Sequence, residues 1–265
     1  MIIPLICADG ENIEVISNEI PLNYYFGGNI NDLADKPADF IENELNTIKK
    51  GGYQISMIHA FAPNDVRQTY AANRPYFNFI RSLGRVGLTI HYKYPRNPED
   101  VNILFQQILW MYAQCPEAVW YIENESNDLY GVLQMVQALR SLKIESYMLI
   151  DTCHLQMDLA PYKRILYNTD EVMLDTIEMY SDYIGAFHIS CSVLHEGYNI
   201  DEHGRPPRDE KDIAYLNKLV GNIKSLDFKN DIYLIPEVSE KDYSPEGGRK
   251  EGLKTYELFN KILFH

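Results

Sequence analysis

The sequence predicts an α/β chain whose parallel strands close into a (β/α)8 TIM barrel, and two observations carry that expectation. From residue 37 onward, short β-branched or aromatic runs alternate with longer amphipathic stretches, the pattern of successive βαβ units. The length of 265 residues falls within the range that one such barrel occupies. No repeat, low-complexity tract or linker-like stretch divides the chain, so residues 1–265 are expected to form a single domain.

Residues 1–36 fit the alternation least. IIPLI, IEVI and NYYF have strand-like composition, yet ADGEN between the first two is too short for a helix, so an abbreviated N-terminal βα unit is expected. The later candidate strands are QISMI (54–58), VGLTI (86–90), VWYI (119–122), YMLI (147–150), IGAF (184–187) and IYLI (232–235). Helical patterns fall at about 37–50, 64–84, 99–114, 128–142, 168–182, 209–226 and 248–263. An open doubly wound sheet is the alternative, although the sequence has no Gly-rich phosphate loop to support it.

Composition narrows the class of protein. Hydrophobic residues make up 46% of the chain, enough for a large core, but no run approaches a membrane span. The start, MIIPLICADG, lacks both the basic region and the long apolar stretch of a signal peptide. A cytoplasmic monomer with no membrane partner is therefore expected. Cys7, Cys115, Cys153 and Cys191 form no C-x-x-C pair and fit free thiols in a reducing compartment. The net charge of −14 argues against a general nucleic-acid-coating protein, unless bound cations offset the acids.

The residues after the strands carry the chemistry. QISMI is followed by His59, VGLTI by His91, VWYI by Glu123, YMLI by Asp151, IGAF by His188, and IYLI, after Pro236, by Glu237. In a parallel barrel these ends converge on the C-terminal face, where active sites of this architecture lie. One such residue alone is an ordinary hydrogen-bonding group. All six here are metal-ligand types.

Three more residues join them. LIDTCH places His154 three residues after Asp151 on the same loop, and NIDEH carries Asp201 and His203 in a D-x-H arrangement. Taken alone, the first is a common chance pattern and the second reads as a solvated, charged loop. Together, nine carboxylates and imidazoles buried without cations would carry a prohibitive desolvation cost. Nine ligands exceed one tetrahedral zinc with an open position and suit two to three ions. Five histidines among them favour Zn2+, with Mn2+ or Fe2+ as alternatives. Glu123, Asp151 and Glu237 are the carboxylates expected at the reacting centre; Glu125 competes with Glu123.

LIDTCH, IEN (122–124), FHIS (187–190), IDEH (200–203) and LIPE (234–237) resemble, in order, the metal-binding segments of endonuclease IV. This is the zinc-dependent apurinic/apyrimidinic endonuclease family, built on the xylose-isomerase-like barrel. The similarity runs from about residue 54 to 240. It implies a trinuclear zinc centre, with His59, His91 and Glu123 on one ion, and Glu123, Asp151, His188 and Glu237 on a second. His154, Asp201 and His203 would hold the third, and Glu123 would bridge the first two. It also implies hydrolysis of the DNA backbone at abasic sites.

The sequence departs from the family's pattern at Ser190 and Cys191, where an Asn-Asp pair is usual, and at GRPPRDE after the D-x-H. It departs again at Ala62, where the family carries an aromatic probe of DNA. Arg67, Arg74, Lys93, Arg96, Arg205 and Arg208 are candidate phosphate contacts, and Phe61 and Tyr92 candidate stacking groups. The alternative function is a sugar isomerase or epimerase on the same barrel, with a small sugar substrate. It would need only Glu123, Asp151, His188 and Glu237. A metal-binding protein without catalysis is the third class, since fold does not determine function.

Overall fold

β-Branched residues stiff at χ1 favour extended backbone, and the alternating runs pair accordingly. The computed structural model describes residues 1–9, 13–25, 39–59, 77–92, 98–125, 129–159, 169–191, 206–207, 209–237 and 245–265. Its strands are β1 (Ile2–Pro4), β2 (Ile6–Asp9), β3 (Leu22–Tyr25), β4 (Ile55–His59), β5 (Gly87–Tyr92), β6 (Val119–Asn124), β7 (Ser146–Asp151), β8 (Ile184–Ile189) and β9 (Ile232–Pro236). They belong to one sheet in the order β1-β9-β8-β7-β6-β5-β4-β3-β2. The strands at the two ends of that order, β1 and β2, are separated in the chain only by Leu5. β1 and β2 are thus two pieces of one interrupted N-terminal strand.

The helices between the strands are α1 (Phe40–Gly51), α2 (77–83), α3 (Pro98–Gln114), α4 (Leu129–Ser141), α5 (Thr152–Leu159), α6 (Thr169–Tyr180), α7 (Glu210–Ser225) and α8 (Pro245–Phe264). Two expectations are corrected. IEVI is not a strand: Ile13–Val15 is a 3-10 turn, closed by the Ile16 N–H donating to the Ile13 carbonyl at 3.1 Å. That turn buries Ile13 and Ile16, three residues apart, where a strand would bury alternate residues. DTCH is not a loop either, because α5 starts directly after Asp151. Among the described residues no helix is long and apolar enough to cross a membrane.

The chain divides into two compact units. One comprises Met1–Cys7, Asn124–Leu133 and Met148–His265; the other comprises Ala8–Glu123 and Gln134–Tyr147. In the first, β8 pairs in parallel with β7 and β9, and Leu149, Ile150, Phe187, Leu234 and Ile235 are buried. The Asp209 side chain caps α7 by accepting from the backbone N–H groups of Lys211 and Asp212, both at 2.9 Å.

In the second unit, α1 stops at Gly52, whose φ of 68° is the left-handed conformation that favours glycine. Gly87 opens β5 for a different reason. A Cβ there would lie 2.8 Å from Met57 and 2.9 Å from Tyr121, so the missing side chain lets β5 seat between them.

At the start of β7 the Arg85 guanidinium grips both carboxylate oxygens of Glu145, to which the Tyr147 hydroxyl also donates at 3.1 Å. The Arg85 hydrogen bond holds the Glu145 carboxyl below its ordinary range, against the opposing effect of partial burial. The stability this contributes is present above about pH 4.3, the unfolded glutamate value, and is lost as pH falls through the lowered folded value. Both side chains are substantially exposed, so screening keeps the effect small. Arg85→Ala is expected to cost about 0.5–1 kcal/mol at pH 7 in urea unfolding. The difference from wild type should shrink at pH 3.

Candidate metal centre

His59, the last residue of β4, sits opposite Tyr25 in the β3–β4 pairing, and their rings stack at 4.4 Å and 17°. Thr89 of β5 pairs with His59, and His91, two residues further on, presents its side chain on the same face as Thr89. The strands run one or two residues beyond their apolar stretches, so His59, His91 and Glu123 are set on ladder backbone rather than on loops.

These three converge within the second unit. His59 Nε2 lies 3.6 Å from Glu123 Oε2, His91 Nε2 lies 3.2 Å from the same oxygen, and the two nitrogens are 3.3 Å apart. The 3.6 Å separation is too long for a hydrogen bond. Three donor atoms this close together can serve as ligands to one ion, whose bonds of about 2.0–2.1 Å would span such separations. Glu123 is 1% exposed and His59 3%, so a charged carboxylate here needs nearby positive charge. Glu125, by contrast, is half-buried and lies just past the strand end.

The second group lies wholly within the first unit. Asp151, which ends β7, pairs with His188 of β8, and Glu237 follows β9 directly. Ligand atoms of Asp151, His188 and Glu237 lie within 4.8 Å of one another, and His188 Nδ1 is 3.4 Å from Glu237 Oε2. This set of buried Asp151 and His188 with half-buried Glu237 can hold a metal ion.

Asp151 divides its two oxygens. Oδ1 accepts the His154 backbone N–H at 2.8 Å, capping α5, while Oδ2 lies 4.0 Å from His154 Nε2. One capped turn thus brings Asp151 and His154 to the same place. Asp201 and His203 lie outside the described residues, as do Phe61, Ala62, Arg67, Arg74, Lys93, Arg96, Arg205 and Arg208. Tyr92 corrects an expectation. It is 3% exposed, because strand alternation turns it away from the face that His91 occupies, so it cannot stack on a nucleic acid.

Sequence reading missed Tyr25, Asn124 and Thr152. Asn124 accepts the Asp151 N–H through Oδ1 at 2.8 Å and donates from Nδ2 to the Asp151 carbonyl at 3.3 Å. Thr152 Oγ1 donates to the His188 carbonyl at 3.1 Å. The one available signal was that Asn124 and Thr152 each directly follow a candidate ligand.

No family model matches the sequence, and no curated protein matches it. Solved structures do match. A xylose isomerase domain protein from Planctomyces limnophilus aligns over 98% of this chain and 96% of its own, with TM-score 0.63 and 10% identity. A psychrophilic glycoside hydrolase family 10 endo-beta-1,4-xylanase aligns over 100% of this chain and 96% of its own, with TM-score 0.54 and 11% identity. The xylanase Xyn10A from Cellvibrio japonicus, as a thermostable mutant, aligns over 99% and 97%, with TM-score 0.52 and 7% identity. At such low identities these likenesses establish the fold alone, a (β/α) TIM barrel.

Proposed function

We propose that the chain is a multinuclear, zinc-dependent phosphodiester hydrolase acting on the DNA backbone at abasic sites. The observation that carries this reading is the triangle of His59, His91 and Glu123, present in addition to Asp151, His188 and Glu237. A sugar isomerase on this barrel has no need of the two extra histidines. Their nitrogen-rich donors favour zinc.

Bound ions would supply charge to acidify a water and to offset the negative charge of the phosphate. The chain's own residues do the rest. Buried His59 and His188 hold their imidazoles in place, and Tyr25 sets the plane of the first by stacking. His91 and Glu237, 14% and 16% exposed, are the members of their groups that remain accessible to substrate. His154, with Asp201 and His203, would complete the third ligand set.

A second reading, a sugar isomerase or epimerase, is supported by the set of Asp151, His188 and Glu237 and by the neighbour described as a xylose isomerase domain protein. One experiment separates the two. Zinc-replete protein, analysed for metal content, is given a labelled duplex with a single abasic site and, separately, ketose and aldose sugars. Two to three ions per chain and incision at the abasic position are expected. One ion or none, or an intact duplex with sugar interconversion, overturns the hydrolase reading.

A further inference from the structure

Three ligand-bearing strand ends in the first unit are tied to one another by groups that are not themselves ligands. At the end of β6, the Asn124 carboxamide makes both hydrogen bonds to the Asp151 backbone, as a neighbouring strand would, and so extends the ladder by one residue through a side chain. Next along the chain, Thr152 follows Asp151 and donates to the carbonyl of His188. Cys153 reaches the same strand end, with Sγ 2.9 Å from Ser190 Oγ. The Glu237 N–H then donates to the Ile189 carbonyl at 3.0 Å. Each ligand backbone is therefore held by the residue beside the previous ligand.

We infer that Asn124 and Thr152 are positioning residues that set the spacing of Asp151, His188 and Glu237 for a metal ion; this rests on the metal-centre reading above. Burial is what gives the arrangement its leverage. Asn124 is 1% exposed and Thr152 is fully buried, so removing either group leaves the Asp151 or His188 backbone groups away from bulk water. A strand end can shift by a few tenths of an ångström without unfolding, but a coordination edge of 3.4 Å tolerates little such drift. Sheet packing alone places the residues; the side-chain clamps fix the donor atoms.

The test uses the whole chain, stripped of metal and titrated with Co2+, whose visible absorption reports coordination geometry. Thr152→Val removes the hydroxyl at constant shape, Thr152→Ser restores it, and Asn124→Ala removes both of the other bonds. Thr152→Val and Asn124→Ala are expected to bind Co2+ at least about tenfold more weakly, with an altered spectrum, while Thr152→Ser resembles wild type. Far-UV dichroism checks folding; should Asn124→Ala not fold, the isosteric Thr152→Val decides. Wild-type affinity and spectrum in Thr152→Val, even with a lowered melting temperature, would mean the clamps are only structural and overturn the inference. If wild type itself takes up no Co2+, the metal-centre reading falls, and the inference falls with it.

Discussion

Glu123→Gln is expected to lower cleavage of an abasic duplex by at least about a thousandfold, a loss of roughly 4.1 kcal/mol of transition-state stabilisation. Glutamine preserves the shape and the buried packing of β6, so the fold should survive. What disappears is the negative charge that faces His59 Nε2 at 3.6 Å and His91 Nε2 at 3.2 Å. An amide oxygen is a far weaker ligand than a carboxylate. Glu125→Gln, half-buried and past the strand, should change kcat/KM by no more than about threefold, roughly 0.7 kcal/mol. Steady-state kinetics with metal analysis of both variants decide the assignment. Equal or reversed effects would give the role to Glu125.

Stripping the metal is expected to lower the melting temperature by about 8–16 °C. An ion present at a thousand times its dissociation constant stabilises the folded chain by about 4.1 kcal/mol. For a chain of this size each kcal/mol shifts the midpoint by roughly 2–4 °C. The physical source is the burial of Glu123, Asp151 and His188, each 1% exposed, whose donor atoms a bound ion would satisfy. Calorimetry before and after dialysis against a chelator, with zinc added back, measures it. A midpoint that moves by less than about 2 °C would show that the pocket holds no stabilising ion.

The elements legible in the sequence were those with a long, regular signal. VWYI, YMLI, IGAF and IYLI lie wholly in strands, and QISMI and VGLTI do so except for Gln54 and Val86, because β-branched and aromatic runs bounded by polar residues leave few other ways to be buried. IEVI misled because three apolar residues in four satisfy a strand and a 3-10 turn equally. α5 was invisible for a related reason. TCHLQMDL has little amphipathic pattern of its own, and the helix depends on Asp151 as its cap, a residue whose type and place at a strand end point to a metal ligand instead.

The sequence by itself determined which chemistry is available: it set carboxylates and imidazoles at the ends of successive apolar strands, and strand periodicity assigned each to a face. Only the tertiary structure decided which atoms meet. Asn124 and Asp151 are 27 residues apart, and Thr152 and His188 are 36 apart, so their hydrogen bonds exist only once the strand register is set. Register is a collective outcome of packing across neighbouring strands, and no local stretch of sequence encodes it. Composition names the donors, and strand register fixes the distances between them.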